Sequence, residues 1–254
     1  MKKILALVLM VAMLCCMMVS CEKTDALLEK ADDALVNAPY KVTMKTTFKA
    51  DNPELNAALA ANAIEIPIII DGENVSMDMS IPALGIQNSK IVVVDKVLYM
   101  LVETQGITVK YKCTLTDEQF EQFMADNNAT MPIEHKYFDK KDTEKDGSKK
   151  IITCSELNQD GKDMLKERAQ KMLAALGNDS EADYDEIQLE LIIEDGKYAS
   201  QEIEMDYDIS VEGVSFSVSA TTKSSYDYDE DYKVTAPEDA DSYTEMEYED
   251  LFPN

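Results

Sequence analysis

The stretch that decides the fold runs from Ile187 to Val218, IQLELIIEDGKYASQEIEMDYDISVEGVSFSV. Ile187, Leu189, Leu191 and Ile193 alternate with Gln188, Glu190 and Glu194, and Asp195-Gly196 follows. Ile203, Met205, Tyr207, Ile209 and Val211 then alternate with Glu202, Glu204, Asp206, Asp208 and Ser210, and Glu212-Gly213 leads into Val214, Phe216 and Val218 set against Ser215, Ser217 and Ser219. A period of two is the mark of extended chain, whose successive side chains point to opposite faces. One face here is apolar and the other charged or hydroxylic, so each run is a half-buried strand. Acidic-Gly pairs between such runs are hairpin turns, and three strands joined this way form an antiparallel meander.

The same pattern fills the chain upstream. Tyr40, Val42, Met44 and Phe48 alternate with Lys41, Thr43, Lys45, Thr47 and Lys49. Ile64, Ile66, Ile68 and Ile70 lead through Asp71-Gly72 to Val75, Met77, Met79 and Ile81, a second hairpin. Residues 91–94 and 97–102 flank Asp95-Lys96 as a third, and 107–115 continues the series after Gln105-Gly106. Residues 133–138, with His135 alternating with Ile133 and Tyr137, read as a short strand; 150–157 reads as its partner across a lysine-rich turn containing Asp146-Gly147.

Helical spacing interrupts this pattern in a few places. Leu27, Ala31 and Ala34 lie beside Leu28 and Leu35 in an amphipathic helix over 24–37, and Leu55, Ala58 and Leu59 mark a short helical patch. Thr116 with Gln119 forms a capping box for a helix whose apolar side is Phe120, Phe123 and Met124. A helix from Asp160 places Leu165, Ala169, Met172 and Leu176 on one side, with Gly177 at its C-cap. Strands with one greasy face, and helices that must bury a stripe, give an α+β class in which a few helices cover an antiparallel sheet.

The first 20 residues are of a different kind. Met1-Lys2-Lys3 precedes a run from Ile4 to Cys21 without a charge, the layout of a secretory signal peptide. The 17 residues from Ile4 to Ser20 fall at the short edge of the roughly 20 that span a bilayer. Met18-Val19-Ser20-Cys21 resembles the lipobox of bacterial lipoproteins, with Met18 where that family usually has Leu. The resemblance implies cleavage before Cys21, diacylation of its thiol, residues 21–23 as a lipidated tether, and attachment at the extracytoplasmic face of the cell membrane. Two acyl chains anchor stably where one binds marginally.

Composition narrows the partners. The chain has 24 Lys and Arg against 50 Asp and Glu, a net charge of −26 that becomes −28 once Lys2 and Lys3 are removed with the signal. Nucleic acid, which is bound through a basic footprint, is excluded as a partner, and the acidity would repel anionic headgroups, leaving the lipid on Cys21 to hold the membrane. Cys113 and Cys154 remain; Cys113 lies on the apolar face of its strand, and the spacing leaves open two buried thiols or a disulfide. His135 is the one histidine and no Gly-x-Ser-x-Gly or phosphate loop occurs among 8 glycines, so no catalytic residue, cofactor or metal is assigned and the expected protein is not an enzyme. Asp227, Asp229, Asp231 and Glu238 have calcium-loop spacing, but Tyr232 stands where such a loop needs Gly.

From Tyr226 to Asn254 there are 11 Asp or Glu and 5 Tyr against one Lys. Lys233-Val234-Thr235 suits a last edge strand ended by Pro237, and beyond it 239–254 is expected to be an acidic tail, mobile or loosely docked.

The entry Leu27-Leu28 and Ala31, then Tyr40-Lys41-Val42-Thr43-Met44, the hairpin Ile68-Ile69-Ile70-Asp71-Gly72 and the closing Lys233-Val234-Thr235-Ala236-Pro237 resemble, in pattern and order, the LolA and LppX superfamily of lipoprotein carriers. The likeness covers most of 24–238. It implies a strongly curved half-barrel sheet with helices in its mouth and an apolar cavity able to take acyl chains. The expected function is therefore a non-enzymatic carrier or sensor of an apolar ligand such as lipid; the alternative is a structural or protein-interaction lipoprotein whose core its own side chains fill. Met77, Met79 and Met205, among 15 methionines, are the candidate ligand-facing residues, since Met suits an adaptable pocket and fills irregular cores equally well.

Overall fold

The computed structural model describes residues 24–53, 56, 63–81, 86–104, 106–127, 134–175, 181–211 and 214–252. Helix α1 is Thr24–Asn37, and the strands are β1 (Tyr40–Ala50), β2 (Ile64–Asp71), β3 (Asn74–Ile81), β4 (Ile86–Val94), β5 (Val97–Thr104) and β6 (Ile107–Thr114). After α2 (Asp117–Asn127) come β7 (Phe138–Asp146), β8 (Lys149–Leu157), α3 (Gln159–Ala175), β9 (Glu181–Glu194), β10 (Lys197–Val211), β11 (Val214–Asp227), β12 (Thr244–Glu245) and α4 (Tyr248–Leu251).

The strands form one open sheet in the order β12-β6-β5-β4-β3-β2-β1-β11-β10-β9-β8-β7. All pairings are antiparallel except β12 on β6, which is parallel. Two meanders, β1 to β6 and β7 to β11, meet where β1 pairs with β11 from Lys41↔Asp227 to Ala50↔Val218. Hairpin turns set the registers. At Asp95-Lys96, both residues have positive φ (51° and 62°), and at Asp195-Gly196 the values are 53° and 77°. Such turns carry the right-handed twist of their flanking strands, and glycine takes this conformation without steric cost.

The register brings the alternating apolar positions of neighbouring strands onto one face. Across six strands, Val42 stands opposite Ile68, Ile68 opposite Met77, Met77 opposite Ile91, Ile91 opposite Met100 and Met100 opposite Tyr111. Helices pack on it in separate places. Leu27, Leu28 and Ala31 of α1 and Leu165 of α3 join Ile152, Cys154, Leu189, Leu191 and Ile193 in one buried cluster. Phe123 of α2 joins Val93, Leu98, Cys113 and Leu115 in another. The capping box of α2 forms in both directions: the Thr116 N–H donates to Gln119 Oε1 at 3.0 Å and the Gln119 N–H to Thr116 Oγ1 at 3.2 Å. For α3 the cap is Asn158, whose Oδ1 accepts from the Gly161 N–H at 2.9 Å. The side chains of Ala169 and Met172, together with Leu176 and Gly177, lie outside the described residues, as do Leu55, Ala58 and Leu59 of the expected helical patch.

Three expectations are corrected. His135 is not in a strand: His135–Tyr137 forms a 3-10 turn, and the strand is Phe138–Asp146, whose charged residues after Phe138 are assigned above to a turn. As the sheet's last strand it buries only Phe138, and a charged, solvated edge resists pairing with other chains, so it carries no apolar alternation. Lys233-Val234-Thr235 forms no strand; Val234 is nonetheless buried, and its N–H donates to Asp71 Oδ2 at 3.4 Å.

The tail, 239–254, is not loosely docked over its described part. Tyr243 is buried and stacks edge-on against Tyr99 at 5.4 Å, and Lys110 pairs with Asp239. Thr244–Glu245 then lines the β6 edge, and Tyr248, Leu251 and Phe252 pack against the cluster around Phe123. Tyr99 and Leu98 point to opposite faces of β5, so this segment passes around the edge from one face to the other. Its mean composition is that of a solvated tail, but four well-placed aromatic and aliphatic side chains suffice to seat it.

Candidate functional site

The three candidate methionines share the apolar face without forming one site. Met77 on β3 is buried among Tyr40, Val42, Met44, Ile68 and Val75. Met79, two residues along the same strand and opposite Ser89 of β4, is half-buried. Met205 on β10 stands between Ile187 and Ala220, half-buried at the margin of the α1 cluster. From β3 to β10 is four strand spacings, or ~19 Å along a sheet. Cys21, with the whole of 1–23, lies outside the described residues.

Both remaining cysteines are free and buried, Cys113 in the α2 cluster and Cys154 in the α1 cluster. Burial pushes the Cys154 thiol up to about 11, against the pull of Lys141, and burial with Glu245, Glu247 and Glu249 raises that of Cys113. Thiols held protonated in this way are poor nucleophiles. The calcium-like spacing also has a local use. Asp227 Oδ2 accepts from the Tyr232 hydroxyl at 2.6 Å and its Oδ1 from the Asp229 N–H at 2.9 Å. Among the described residues no group of three or more His, Cys, Asp or Glu is arranged to hold a metal ion.

A polar node under α1 was not legible from motifs. Asp32, on the helix, accepts from the Tyr198 hydroxyl at 2.6 Å through Oδ1 and meets His135 Nε2 at 2.8 Å through Oδ2. Tyr198 continues into a ladder of rings, Tyr226 at 5.8 Å, then Tyr40 at 6.1 Å, then Tyr228 at 5.8 Å. The Tyr226 hydroxyl donates to buried Gln201 at 3.1 Å, and Lys197 Nζ lies 4.8 Å above the Tyr228 ring. His135 Nδ1 and the Tyr228 hydroxyl are buried with no hydrogen-bond partner.

Electrostatics fixes the protonation of this node. Burial works to raise the Asp32 carboxyl, but the hydrogen bonds from His135 and Tyr198 outweigh it and hold it below the usual carboxylate range. Burial raises Tyr40 to about 12 and, with Asp32 beside it, lifts Tyr198 further. An ionised carboxylate between two donors is a strong clip between helix and sheet. The lone histidine was the one sequence signal, but His135 and Tyr198 stand 103 and 166 positions along the chain from Asp32, too far for spacing to bring them together.

On the polar face, a concavity of about 450 Å³ is lined by Lys49, Asp51, Asp206, Asp208, Ser217 and Ser219 among others and touches none of the three methionines. Within it the Ser217 hydroxyl donates to Asp208 at 2.6 Å. No helix among the described residues is long and apolar enough to cross a membrane.

No family model matches the chain, and no curated protein matches it. Among solved structures, the YwiB protein of Bacillus subtilis is similar over 74% of this chain and 91% of its own, with 10% identity and a TM-score of 0.14, a likeness that carries no argument about fold or function.

Proposed function

We propose that this chain is a membrane-anchored extracytoplasmic lipoprotein, lipidated at Cys21, whose domain is a non-enzymatic carrier or sensor of an apolar ligand, with lipid as the class. In this reading the sheet curves as a half-barrel of the LolA and LppX kind and the ligand lies between sheet and helices. One observation supports it most: a single apolar face continues across both meanders while the described helices seat on it in separate clusters, with Met79 and Met205 half-buried beyond the closest packing. A flexible thioether at such margins can repack around an acyl chain.

The test uses a delipidated chain starting at Glu22, titrated with fatty acid or phospholipid. A ligand bound by the native state alone raises the melting temperature with concentration, by ~2.7 kcal/mol of stability at a hundredfold excess over Kd. Met79→Gln and Met205→Gln should weaken that shift more than they lower the unliganded melting temperature. Met77→Gln should do the reverse, since Met77 packs in a buried cluster. No shift with any lipid class would sink this reading. It would favour a structural or protein-interaction lipoprotein, which the complete burial of Leu28, Ile152, Cys154 and Leu189 between α1 and the sheet already suits.

A further inference from the structure

Cys21 precedes Thr24 by three residues, so acyl chains on Cys21 hold the start of α1 within about 11 Å of the bilayer surface. That start is fixed to the β7 edge of the sheet. Thr24 Oγ1 and Thr143 Oγ1 are 2.7 Å apart, and Lys141 Nζ is 3.4 Å from Asp25. The edge is therefore the part of the domain nearest the membrane, and its charge differs from that of the rest. In a chain of net charge −26, the segment from Glu134 to Glu156 has six lysines and six carboxylates, whereas the segment seated at the opposite, β6 edge, residues 239–250, has six carboxylates and no lysine.

Lys145 and Lys150 stand directly opposite one another across β7 and β8, on the same side of the hairpin as Thr143. Facing like charges destabilise a strand pair, and among the described residues neither lysine is in an ion pair. Lys149 at the turn and Lys140 on the other side are exposed. A like-charge pair on the edge that the tether draws to the membrane is compensated once an anion lies between the two ammonium groups.

We propose that the β7–β8 hairpin is a docking surface for the anionic headgroups of the membrane in which Cys21 is anchored, with Lys145 and Lys150 sharing a headgroup phosphate. The domain then stands with its β7 edge on the bilayer and its acidic C-terminal segment directed away from it. This rests on the lipidation of Cys21.

The chain contains no tryptophan, so Ser148→Trp at the hairpin tip and Thr235→Trp in the C-terminal segment each introduce a single reporter. The full-length lipidated variants are reconstituted in phosphatidylcholine vesicles with or without phosphatidylglycerol, doped with a headgroup-spin-labelled lipid. The Ser148→Trp fluorescence should be quenched in the anionic vesicles, and the Thr235→Trp fluorescence should not. Adding Lys145→Gln and Lys150→Gln to the Ser148→Trp chain should lower the ratio of docked to undocked protein by about fivefold per lysine. Unchanged flotation of that triple variant with vesicles, and a melting temperature no lower than that of the Ser148→Trp chain, would show that anchor and fold are intact. Protein that floats but is quenched equally at both positions, or whose quenching the two glutamines leave unchanged, overturns the docking surface while leaving the anchor standing. Protein that does not float overturns the anchor and this proposal with it.

Discussion

Asp32 is a partly exposed residue with two dependants, the buried Tyr198 and the half-buried His135. Removing its carboxylate leaves the Tyr198 hydroxyl and His135 without their shared acceptor, and hydrogen bonds to a charged group are worth about 1.5–3 kcal/mol each, less where solvent screens them. Asp32→Ala should therefore lower unfolding stability by about 2 kcal/mol in a denaturant titration, and Tyr198→Phe by about 1 kcal/mol. The same carboxylate sets an acid limit. Its folded pKa lies below its unfolded value, so its contribution is present above the unfolded pKa of about 3.9 and disappears as pH falls through the folded one. The stability difference between the native chain and Asp32→Ala should be present at roughly pH 5 and shrink below pH 4. A difference that persists at pH 2 would mean that Asp32 acts through packing instead.

Among the elements, the C-terminal segment reverses the expectation drawn from its composition. Truncation after Ala236 removes Tyr243, Tyr248, Leu251 and Phe252 from their contacts and uncovers the β6 edge. With about 1.5–3 kcal/mol for each fully buried side chain of this size, the loss should reach at least ~3 kcal/mol, or a fall in melting temperature of roughly 10 °C for a domain of this length. A truncated chain melting within a degree of the intact one would show the segment to be ornamental. The edge strands teach the converse lesson. β7 reads as a turn because its residues are charged, yet it is a strand because β8 offers backbone partners to Phe138 and to every residue from Lys140 to Asp146. Backbone pairing needs no apolar side chain, and periodicity detects only side chains.

Across the whole molecule, the net charge of −26 is spread over a sheet with two far-apart edges. Self-repulsion of this size destabilises the compact state and is screened by salt. Raising sodium chloride from low ionic strength to ~0.5 M should increase the melting temperature by several degrees, since the Debye length falls well below the ~10 Å it has at 0.1 M. A melting temperature insensitive to salt would place the carboxylates in locally compensated pairs, of which Lys223 with Glu202 at 2.7 Å and Lys96 with Asp117 at 2.6 Å are examples.

The sequence by itself determined the meanders, the hairpin turns, the α2 capping box and the apolar face, because each is set by side chains within a few positions of one another. Period-two alternation from Ile187 to Val218 needs only the strand itself to be read. It could not determine that β1 closes on β11, that Met77 and Met205 lie in different packed groups, or that Asp32, His135 and Tyr198 converge. Those facts follow from strand order and from contacts between residues more than a hundred positions apart, where sequence spacing carries no distance. The seating of Tyr243 and Phe252 belongs with them: burial depends on a cleft that other elements build, and the acidic segment does not encode that cleft.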